Sequence, residues 1–150
     1  MTTDARAFYP VFIKKDSLIA YIATFDGGQN LYTLDLKNKR SIKITDFRSR
    51  PMISHLSYDS LSHSLYFDIT RHHFRDIYKY DFNEGSVNEV KNNPLYDERN
   101  MTASNQGRQI YANDKSGIYN LYMIDNKNEV EGYISNVTGG AFMPNISKDG

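Results

Sequence analysis

The chain of 150 residues contains no cysteine and no tryptophan, and its formal net charge is zero. Without cysteine, disulfide bonds and thiolate metal sites are excluded, although this absence indicates no particular compartment. Balanced charge provides no overall field that would favour nucleic acid or an anionic membrane. The sequence also lacks the ~18 consecutive apolar residues of a membrane span and, in residues 1–6, the apolar core of a secretory signal. We therefore expect no nucleic-acid partner and no direct membrane insertion.

The chain does contain a repeat of nearly constant period. The segment NLYTLDL, which begins at position 30, recurs as DIYKYDF at position 76 and as NLYMIDN at position 120, so the spacings are 46 and 44 residues. A second set of equivalent positions, which we call anchors, lies at the start of each period: Pro10, His55, Asn100 and Pro144. Their spacings are 45, 45 and 44 residues. Two independent anchors with one period indicate a repeat architecture.

Each period holds four short runs rich in β-branched and aromatic residues, and polar turns separate these runs. The predicted strands are 9–13, 18–24, 30–36 and 41–45 in the first period, 53–57, 64–70, 76–82 and 87–91 in the second, and 101–103, 109–113, 120–125 and 132–135 in the third. Four short strands in ~45 residues match a β-propeller blade, whereas no window has the 3.6-residue period of a helical repeat.

The predicted fold class is therefore all-β, a β-propeller fragment of about three four-stranded antiparallel blades. The blades are expected at 8–46, 52–92 and 99–138, and the first strand of a fourth blade at 141–150. A single sandwich or barrel of ~12 strands is the alternative. Because the sequence stops at a turn where another strand is expected to begin, we expect the chain to belong to a longer protein.

The repeat also resembles the blades of TolB-type, WD-repeat-like propellers. Their pattern is a Pro-x-x-Ser-x-Asp-Gly turn, a strand, a Gly-containing hairpin, an Ile-Tyr-x-x-Asp strand, and a Thr before the next blade. The turn is matched by Pro144, Ser147, Asp149 and Gly150; the strand by Ile77, Tyr78 and Asp81 and, with Leu in place of Ile, by Leu31, Tyr32, Asp35, Leu121, Tyr122 and Asp125; and the Thr by Thr45 and Thr138.

The sequence departs from the TolB-type pattern in the second and third periods. The second turn, residues 57–64, has no glycine, and the third, residues 103–107, has neither proline nor aspartate. Lys91 and the two asparagines after it replace the Thr step of the second period. The pattern consists of turn chemistry and strand alternation, so it specifies a fold and leaves the function open.

Residues that recur in every blade are predicted to be structural, because a catalytic group is needed only once. The three tyrosines, Tyr32, Tyr78 and Tyr122, are expected to fill the wedge between blades while their hydroxyl groups find partners. The three aspartates, Asp35, Asp81 and Asp125, are expected to cap the turn that follows their strand.

Function is therefore expected among residues that do not repeat. If the first strand of each blade is innermost, the loops between second and third strands and those between blades lie at one end of the propeller. We call this end the loop face, and it comprises Phe47, Arg48, Arg50, Arg71, His72, His73, Phe74, Arg75, Tyr96, Asp97, Glu98, Arg99, Phe142 and Met143. The predicted partner-binding residues are Phe47, Arg48, Arg50, His72, His73, Phe74, Arg75 and Tyr96, because arginine and aromatic residues are enriched at protein interfaces.

Other chemistries find little support in the sequence. His72 and His73 are adjacent, so on an extended chain they point apart and do not share a metal ion. The sequence has no Gly-x-Ser-x-Gly elbow, no P-loop and no dinucleotide-binding fingerprint. We expect no catalytic residue, no metal and no cofactor in this chain.

The leading functional hypothesis is a non-catalytic scaffold that binds a protein or peptide partner and also contacts the remaining blades, or other domains, of the same polypeptide. The resemblance to TolB-type propellers implies the bacterial periplasm or cell envelope as its location. The alternative, which the resemblance also allows, is a substrate-gating or docking propeller of a larger hydrolase, either a serine peptidase or a metallopeptidase. A weaker third option is a glycan- or small-ligand-binding propeller.

Overall fold

The computed structural model describes residues 5–15, 17–71 and 73–147, so three of the predicted residues, His72, Asp149 and Gly150, lie outside the described part of the chain. The described residues form twelve strands, which are β1 (Arg6–Lys14), β2 (Leu18–Phe25), β3 (Gly28–Asp35), β4 (Arg40–Lys43), β5 (Met52–Asp59), β6 (Ser64–Arg71), β7 (Phe74–Asp81), β8 (Ser86–Lys91), β9 (Glu98–Ala103), β10 (Arg108–Asn113), β11 (Asn120–Asp125) and β12 (Val130–Tyr133).

The twelve strands form three antiparallel four-stranded sheets, β1–β4, β5–β8 and β9–β12, each in sequence order. The predicted all-β class with three four-stranded blades is therefore confirmed. β9 begins at Glu98, three residues before the predicted start, because Glu98 and Arg99 pair with β10 although both are polar. β12 begins at Val130, two residues before the predicted start, because Val130 already pairs with Asp125 across the turn.

The first strands of the three blades lie beside one another, since β5 contacts both β1 and β9. Each of these strands is interrupted by a bulge, where Tyr9, His55 and Asn100 adopt φ values of 53°, 55° and 59°. A bulge bends and twists its strand, so the repeat anchor is a backbone feature inside the innermost strand. Met143 has the same conformation, with φ of 56°, although residues 141–147 pair with no described strand.

Apolar side chains between the blades make up the core. Ile22 and Leu31 of the first blade pack with Leu65, Phe67 and Ile69 of the second, and all five are fully buried. A second cluster joins the other face of the second blade to the third, and it consists of Tyr66, Ile77, Met101 and Tyr111. β6 is buried along most of its length because a blade covers each of its faces.

Each blade carries an aromatic pair across its second and third strands. The ring centroids of Tyr21 and Tyr32 are 5.6 Å apart, and those of Tyr111 and Tyr122 are 5.5 Å apart. In the second blade the pair is Phe67 and Tyr78, 6.1 Å apart, and the Tyr78 hydroxyl donates to Glu89 at 2.8 Å. The tyrosines of the repeat thus lie directly opposite aromatic partners, where cross-strand contact is closest.

The aspartate at the end of each third strand accepts backbone N–H groups from the following turn. The donors are Lys37 and Asn38 for Asp35, Asn83 and Glu84 for Asp81, and Lys127 and Asn128 for Asp125, at 2.8–3.4 Å. This is the Asx-turn geometry that favours aspartate at such positions. Asp125 also accepts from the guanidinium of Arg108 at 3.0 Å, which lowers the pKa of that carboxyl to about 2.

An asparagine, half-buried in the first blade and buried in the third, ties the third strand of each of these two blades to the segment that follows the blade. Asn30 accepts from the Thr45 hydroxyl and from Phe47 N–H, at 3.1 and 2.9 Å. Asn120 does the same with the Ser135 hydroxyl and Val137 N–H, both at 3.0 Å. Ser135 therefore occupies the position of Thr45, and the predicted match of Thr138 to that position is wrong.

The second blade has Asp76 at the position of this asparagine and Lys91 at the position of Thr45, so the hydroxyl donor is missing. Asp76 Oδ1 is buried and has no hydrogen-bond partner among the described residues. Burial raises the pKa of the Asp76 carboxyl. This blade is therefore joined to the next one by a less complete set of hydrogen bonds.

Replacing Asn120 by alanine is expected to lower the free energy of unfolding by about 1–3 kcal/mol, because it leaves two donors of the third blade without their acceptor. Urea denaturation of the full chain measures this change. Asn83→Ala serves as the matched control, because Asn83 is exposed and its side chain makes none of these contacts. Equal effects of the two substitutions would contradict the proposed role of Asn120.

Candidate protein-binding face

The ladder of the second blade places the predicted cationic loops at one end of the sheet. Met52 pairs with Thr70, so the chain before β5 and the chain after β6 leave the ladder at the same end. Arg50 precedes Met52 and Arg71 follows Thr70. The structure thus brings the loop between the first and second blades beside the β6–β7 hairpin, as the loop-face prediction requires.

Arg48 and Arg50 are exposed, and neither forms an ion pair with any described residue. Arg50 adopts φ of 50° in a turn in which its N–H donates to the Phe47 carbonyl at 3.3 Å. Its side chain runs past Gly27 and Gly28 in the β2–β3 hairpin, where added Cβ atoms would lie within 4 Å of it. The two arginines therefore present unpaired charge at the edge of the face.

The other predicted contact residues differ in how far they are available to a partner. Phe47 is half-buried with its ring 6.2 Å from Phe67, so it contributes to the core. His73 is exposed, whereas Phe74, Arg75 and Tyr96 are half-buried. Burial raises the pKa of the Tyr96 hydroxyl.

Arg71 is held within its own blade. Its guanidinium lies 3.5 Å from Glu89 and 5.1 Å from the ring centroid of Tyr78. Glu89 in turn accepts from the Tyr78 hydroxyl, and side-chain hydrogen bonds from Asn92 and Tyr78 lower the pKa of the Glu89 carboxyl. Arg71 is thus partly neutralised, unlike Arg48 and Arg50.

A buried carboxyl lies between the second and third blades just inside the loop face. Asp68 is fully buried and accepts hydrogen bonds from Asn100 N–H at 3.0 Å and from Asn100 Nδ2 at 3.3 Å. Burial raises the pKa of Asp68 to about 7, although the Asn100 N–H and the charges of Arg75 and Arg99 act in the opposite direction. The group therefore titrates near neutral pH.

Asp97, in the loop between the second and third blades, joins two hairpins of the loop face. Its carboxylate accepts from Arg75 N–H at 3.0 Å and from the Tyr119 hydroxyl. Its own N–H donates to Asp114 Oδ1 at 2.8 Å. The β6–β7 and β10–β11 hairpins are therefore held in a fixed relation around this loop.

Arg99 lies in an aromatic cradle beside this network. Its guanidinium carbon is 3.7 Å from the ring centroid of Tyr119 and 5.3 Å from that of Phe142. The two rings meet edge to face, with centroids 5.9 Å apart. Arg99 Nε is buried and has no hydrogen-bond partner among the described residues.

Comparison with solved structures places the arrangement of blades in a known fold. A TolB structure from Acinetobacter baumannii matches 97% of this chain with a TM-score of 0.76 and 18% identity. A putative TolB from Agrobacterium tumefaciens matches 93% with a TM-score of 0.72 and 14% identity. The fold is that of a TolB-type β-propeller. The chain spans 36% and 52% of those two proteins, that is, about a third to a half of their length.

The chain is also similar to part of a puromycin-hydrolyzing peptidase from Mycobacterium tuberculosis, with a TM-score of 0.67 and 10% identity over 87% of this chain and 21% of the peptidase. No family model matches the sequence, and no curated protein matches it significantly. These likenesses confirm the predicted resemblance at the level of fold.

The chain shows no metal-binding group of three or more His, Cys, Asp or Glu side chains in residues 5–15, 17–71 and 73–147. Over the same residues it also contains no helix long and apolar enough to cross a membrane. Among the predicted partner-binding residues that the structure describes, Arg48, Arg50 and His73 are exposed at the loop face.

Sequence reasoning missed Asp68 and Tyr119 in this TolB-type propeller. The sequence did contain a signal for Asp68. When the second strands of the three blades are aligned by their pairing with the third strands, Ile22 and Ala112 occupy the position of Asp68. An aspartate in place of an apolar residue on a doubly covered strand marks a non-repeating site. No comparable signal exists for Tyr119, which lies within a polar hairpin.

Proposed function

We propose that this chain is a binding module that engages a protein or peptide partner through its loop face and supplies no catalytic residue itself. The likeness of fold to the TolB structures supports a location in the bacterial periplasm or cell envelope. The observation that carries the proposal is the pair of exposed, unpaired arginines, Arg48 and Arg50, on a chain whose net charge is zero. Cations gathered at one face favour an acidic partner surface and accelerate its encounter.

The residues that repeat between blades support this assignment, because their structural roles leave binding to the residues that do not repeat. The aromatic pairs, the turn aspartates and the asparagines at positions 30 and 120 all have structural partners. The loop residues vary from blade to blade, so recognition is assigned to them. A rigid scaffold that presents variable loops is a common arrangement for binding proteins.

The first test of the proposal is charge reversal at the edge of the face. Arg48→Glu combined with Arg50→Glu is expected to slow association with the natural partner at least tenfold at low salt, because long-range attraction becomes repulsion. The partner is identified by cross-linking in the native cells, and surface plasmon resonance then measures association at 20 and 200 mM salt. The difference between the variant and the native protein should shrink as salt rises.

Lys37→Glu combined with Lys127→Glu is the matched control for this test. Both lysines are exposed in turns that follow third strands, at the opposite end of the blades, and the double substitution changes the net charge by the same amount. If both double variants slow association equally, net charge alone is responsible and the loop face is not the binding surface. An unchanged rate for the Arg48 and Arg50 variant would also reject the proposal.

The second candidate is a substrate-gating or docking propeller within a larger hydrolase, and the similarity to part of a peptidase structure favours it. The loop face would then orient a substrate for a catalytic domain elsewhere in the polypeptide. A Gly-x-Ser-x-Gly elbow or a His-Glu-x-x-His helix in the same open reading frame would favour this candidate over the first.

A further inference from the structure

We propose that Arg99, assisted by Arg75, forms a carboxylate-binding site on the loop face that anchors an acidic peptide segment of the partner. The inference rests on the proposed function and deepens it, because it names the chemical group that is recognised and the residues that hold it. Neither residue belongs to the exposed edge formed by Arg48 and Arg50. The site lies where the second and third blades meet.

The aromatic cradle fixes the orientation of the Arg99 guanidinium. Tyr119 lies against it at 3.7 Å and Phe142 at 5.3 Å, and the Tyr119 hydroxyl is held by Asp97. Immobilising an arginine side chain costs conformational entropy. Because the cradle already orders the Arg99 side chain, less of this entropy is lost when a ligand binds. Cation–π contact orders the group without using its N–H donors.

The two guanidinium groups have hydrogen-bonding capacity to spare. Ion pairs among the described residues include neither Arg75 nor Arg99, and Arg99 Nε is buried without a partner. The nearest carboxylates are already engaged, since Asp97 accepts from Arg75 N–H and Tyr119, and Asp68 accepts from Asn100. Both arginines therefore retain donors for a ligand.

The charges of both arginines also favour the ionised form of the same buried carboxyl, that of Asp68, and so lower its pKa. Arg99 immediately precedes Asn100, which donates to Asp68. Arg75 donates its N–H to Asp97, two residues before Arg99. A pair of planar, permanently charged donors suits a carboxylate, which can accept two parallel hydrogen bonds from one guanidinium. A lysine would supply only a point charge, and a cationic ligand would be repelled.

Arg99 occurs at a position that the other blades use differently. It immediately precedes the bulge residue Asn100, and the equivalent residues before Tyr9, His55 and Met143 are Phe8, Ser54 and Phe142. The innermost strand thus forms its bulge equally well with an aromatic residue or a serine at this position. The arginine is therefore not required by the repeat, and ligand binding explains it.

The test uses two pools of N-acetylated hexapeptides of matched size. One pool carries Asp or Glu at alternate positions, and the other carries Asn or Gln at the same positions. Fluorescence anisotropy with the full chain should show binding of the acidic pool and no binding of the amide pool. Arg99→Met keeps an unbranched side chain in the cradle and is expected to weaken acidic binding roughly 10- to 100-fold.

Further variants separate ligand binding from a purely structural role. Arg99→Lys should restore part of the affinity, and Arg75→Met should cause a smaller loss than Arg99→Met. Arg40→Met is the matched control, since Arg40 is exposed at the far end of the first blade and should bind as the native chain does. Near-ultraviolet circular dichroism confirms that each variant is folded.

Three results would overturn the inference. These are equal binding of the acidic and amide pools, no binding of either pool, and full affinity in Arg99→Met. If the Arg48 and Arg50 double variant loses its partner while Arg99→Met retains full affinity, the proposed function stands and only the carboxylate site is rejected. If the Arg48 and Arg50 variant keeps its partner while Arg99→Met loses the acidic peptides, the site stands and the exposed edge is rejected.

Discussion

Replacing Phe67 by alanine is expected to lower the free energy of unfolding by about 3–5 kcal/mol, the range for deletion of a large aromatic side chain from a packed core. Phe67 is fully buried between the first and second blades. Its ring lies 6.1 Å from Tyr78 and 6.2 Å from Phe47. Alanine would leave a cavity at the contact that joins two sheets with no hydrogen-bonded ladder between them.

Equilibrium urea denaturation of the full chain, followed by far-ultraviolet circular dichroism, measures this loss. Leu95→Ala is the control, because Leu95 is 81% exposed in the loop between the second and third blades. That substitution should change the free energy of unfolding by less than about 0.5 kcal/mol. A Phe67→Ala effect as small as that of Leu95→Ala would mean that the blades are not held together by this packing.

The sequence predicts the blades well because the repeat arises from local chemistry. An aspartate whose carboxylate accepts the N–H groups two and three residues later closes a turn by local contacts alone, so Asp35, Asp81 and Asp125 indicate the ends of three strands. Strand alternation and turn spacing then give the four-stranded unit. These signals lie within a few residues of one another and require no knowledge of the neighbouring blade.

The innermost strands show where this local reasoning fails. The anchors at His55 and Asn100 mark the period correctly, but the sequence gives no sign that these residues form a bulge with positive φ. Asparagine and histidine adopt positive φ more often than most non-glycine residues, but Tyr9 has the same conformation, so residue type alone does not locate the bulge. These strands pack against the first strands of adjacent blades. A conformation that depends on contacts with the adjacent blade cannot be predicted from the residues of one strand alone.

The candidate site was predicted in part. Arg48, Arg50 and Arg75 could be assigned to one end of the propeller because antiparallel strands alternate in direction, and connectivity alone determines which loops share an end. The cradle of Arg99 could not be predicted, since Tyr119 and Phe142 come from two different connections. Their approach depends on the twist of the sheets and on the Asp97 hydrogen bonds.

The contribution of Asp68 to the stability of the chain is expected to fall as the pH rises from 4 to 8. The pKa of this carboxyl is about 7 in the folded chain, against an ordinary value of 3.8 that the unfolded chain retains. Below pH 4 both states hold the proton, so Asp68 contributes no difference. Between pH 4 and 7 only the folded state binds the proton, so the free energy of unfolding decreases as the pH rises.

The size of this effect follows from the pKa difference. At 1.36 kcal/mol for each pKa unit, ionisation of Asp68 in the fold costs roughly 4 kcal/mol by pH 8. Asp68→Asn removes the titratable carboxyl group but keeps an amide oxygen that can accept a hydrogen bond from Asn100 N–H. The stability of this variant relative to the native chain should therefore improve by up to about 4 kcal/mol between pH 4 and pH 8.

Asp46→Asn provides a control of opposite sign. Asp46 is exposed and paired with Lys43, which lowers its pKa, so its contribution to stability is present above pH 4 and is lost as the pH falls. The relative stability of this variant should worsen slightly as the pH rises. Urea denaturation at five pH values from 4 to 8 measures both variants against the native chain.

A constant difference between Asp68→Asn and the native chain across this pH range would show that Asp68 titrates at its ordinary pKa. A steady gain for the variant would establish that an ionisable group destabilises the junction of the second and third blades at neutral pH. The other two blades place Ile22 and Ala112 at this position, so packing between blades does not require a carboxyl there. The effect of the Arg75 and Arg99 charges on Asp68 links the stability cost to the site where we place ligand binding.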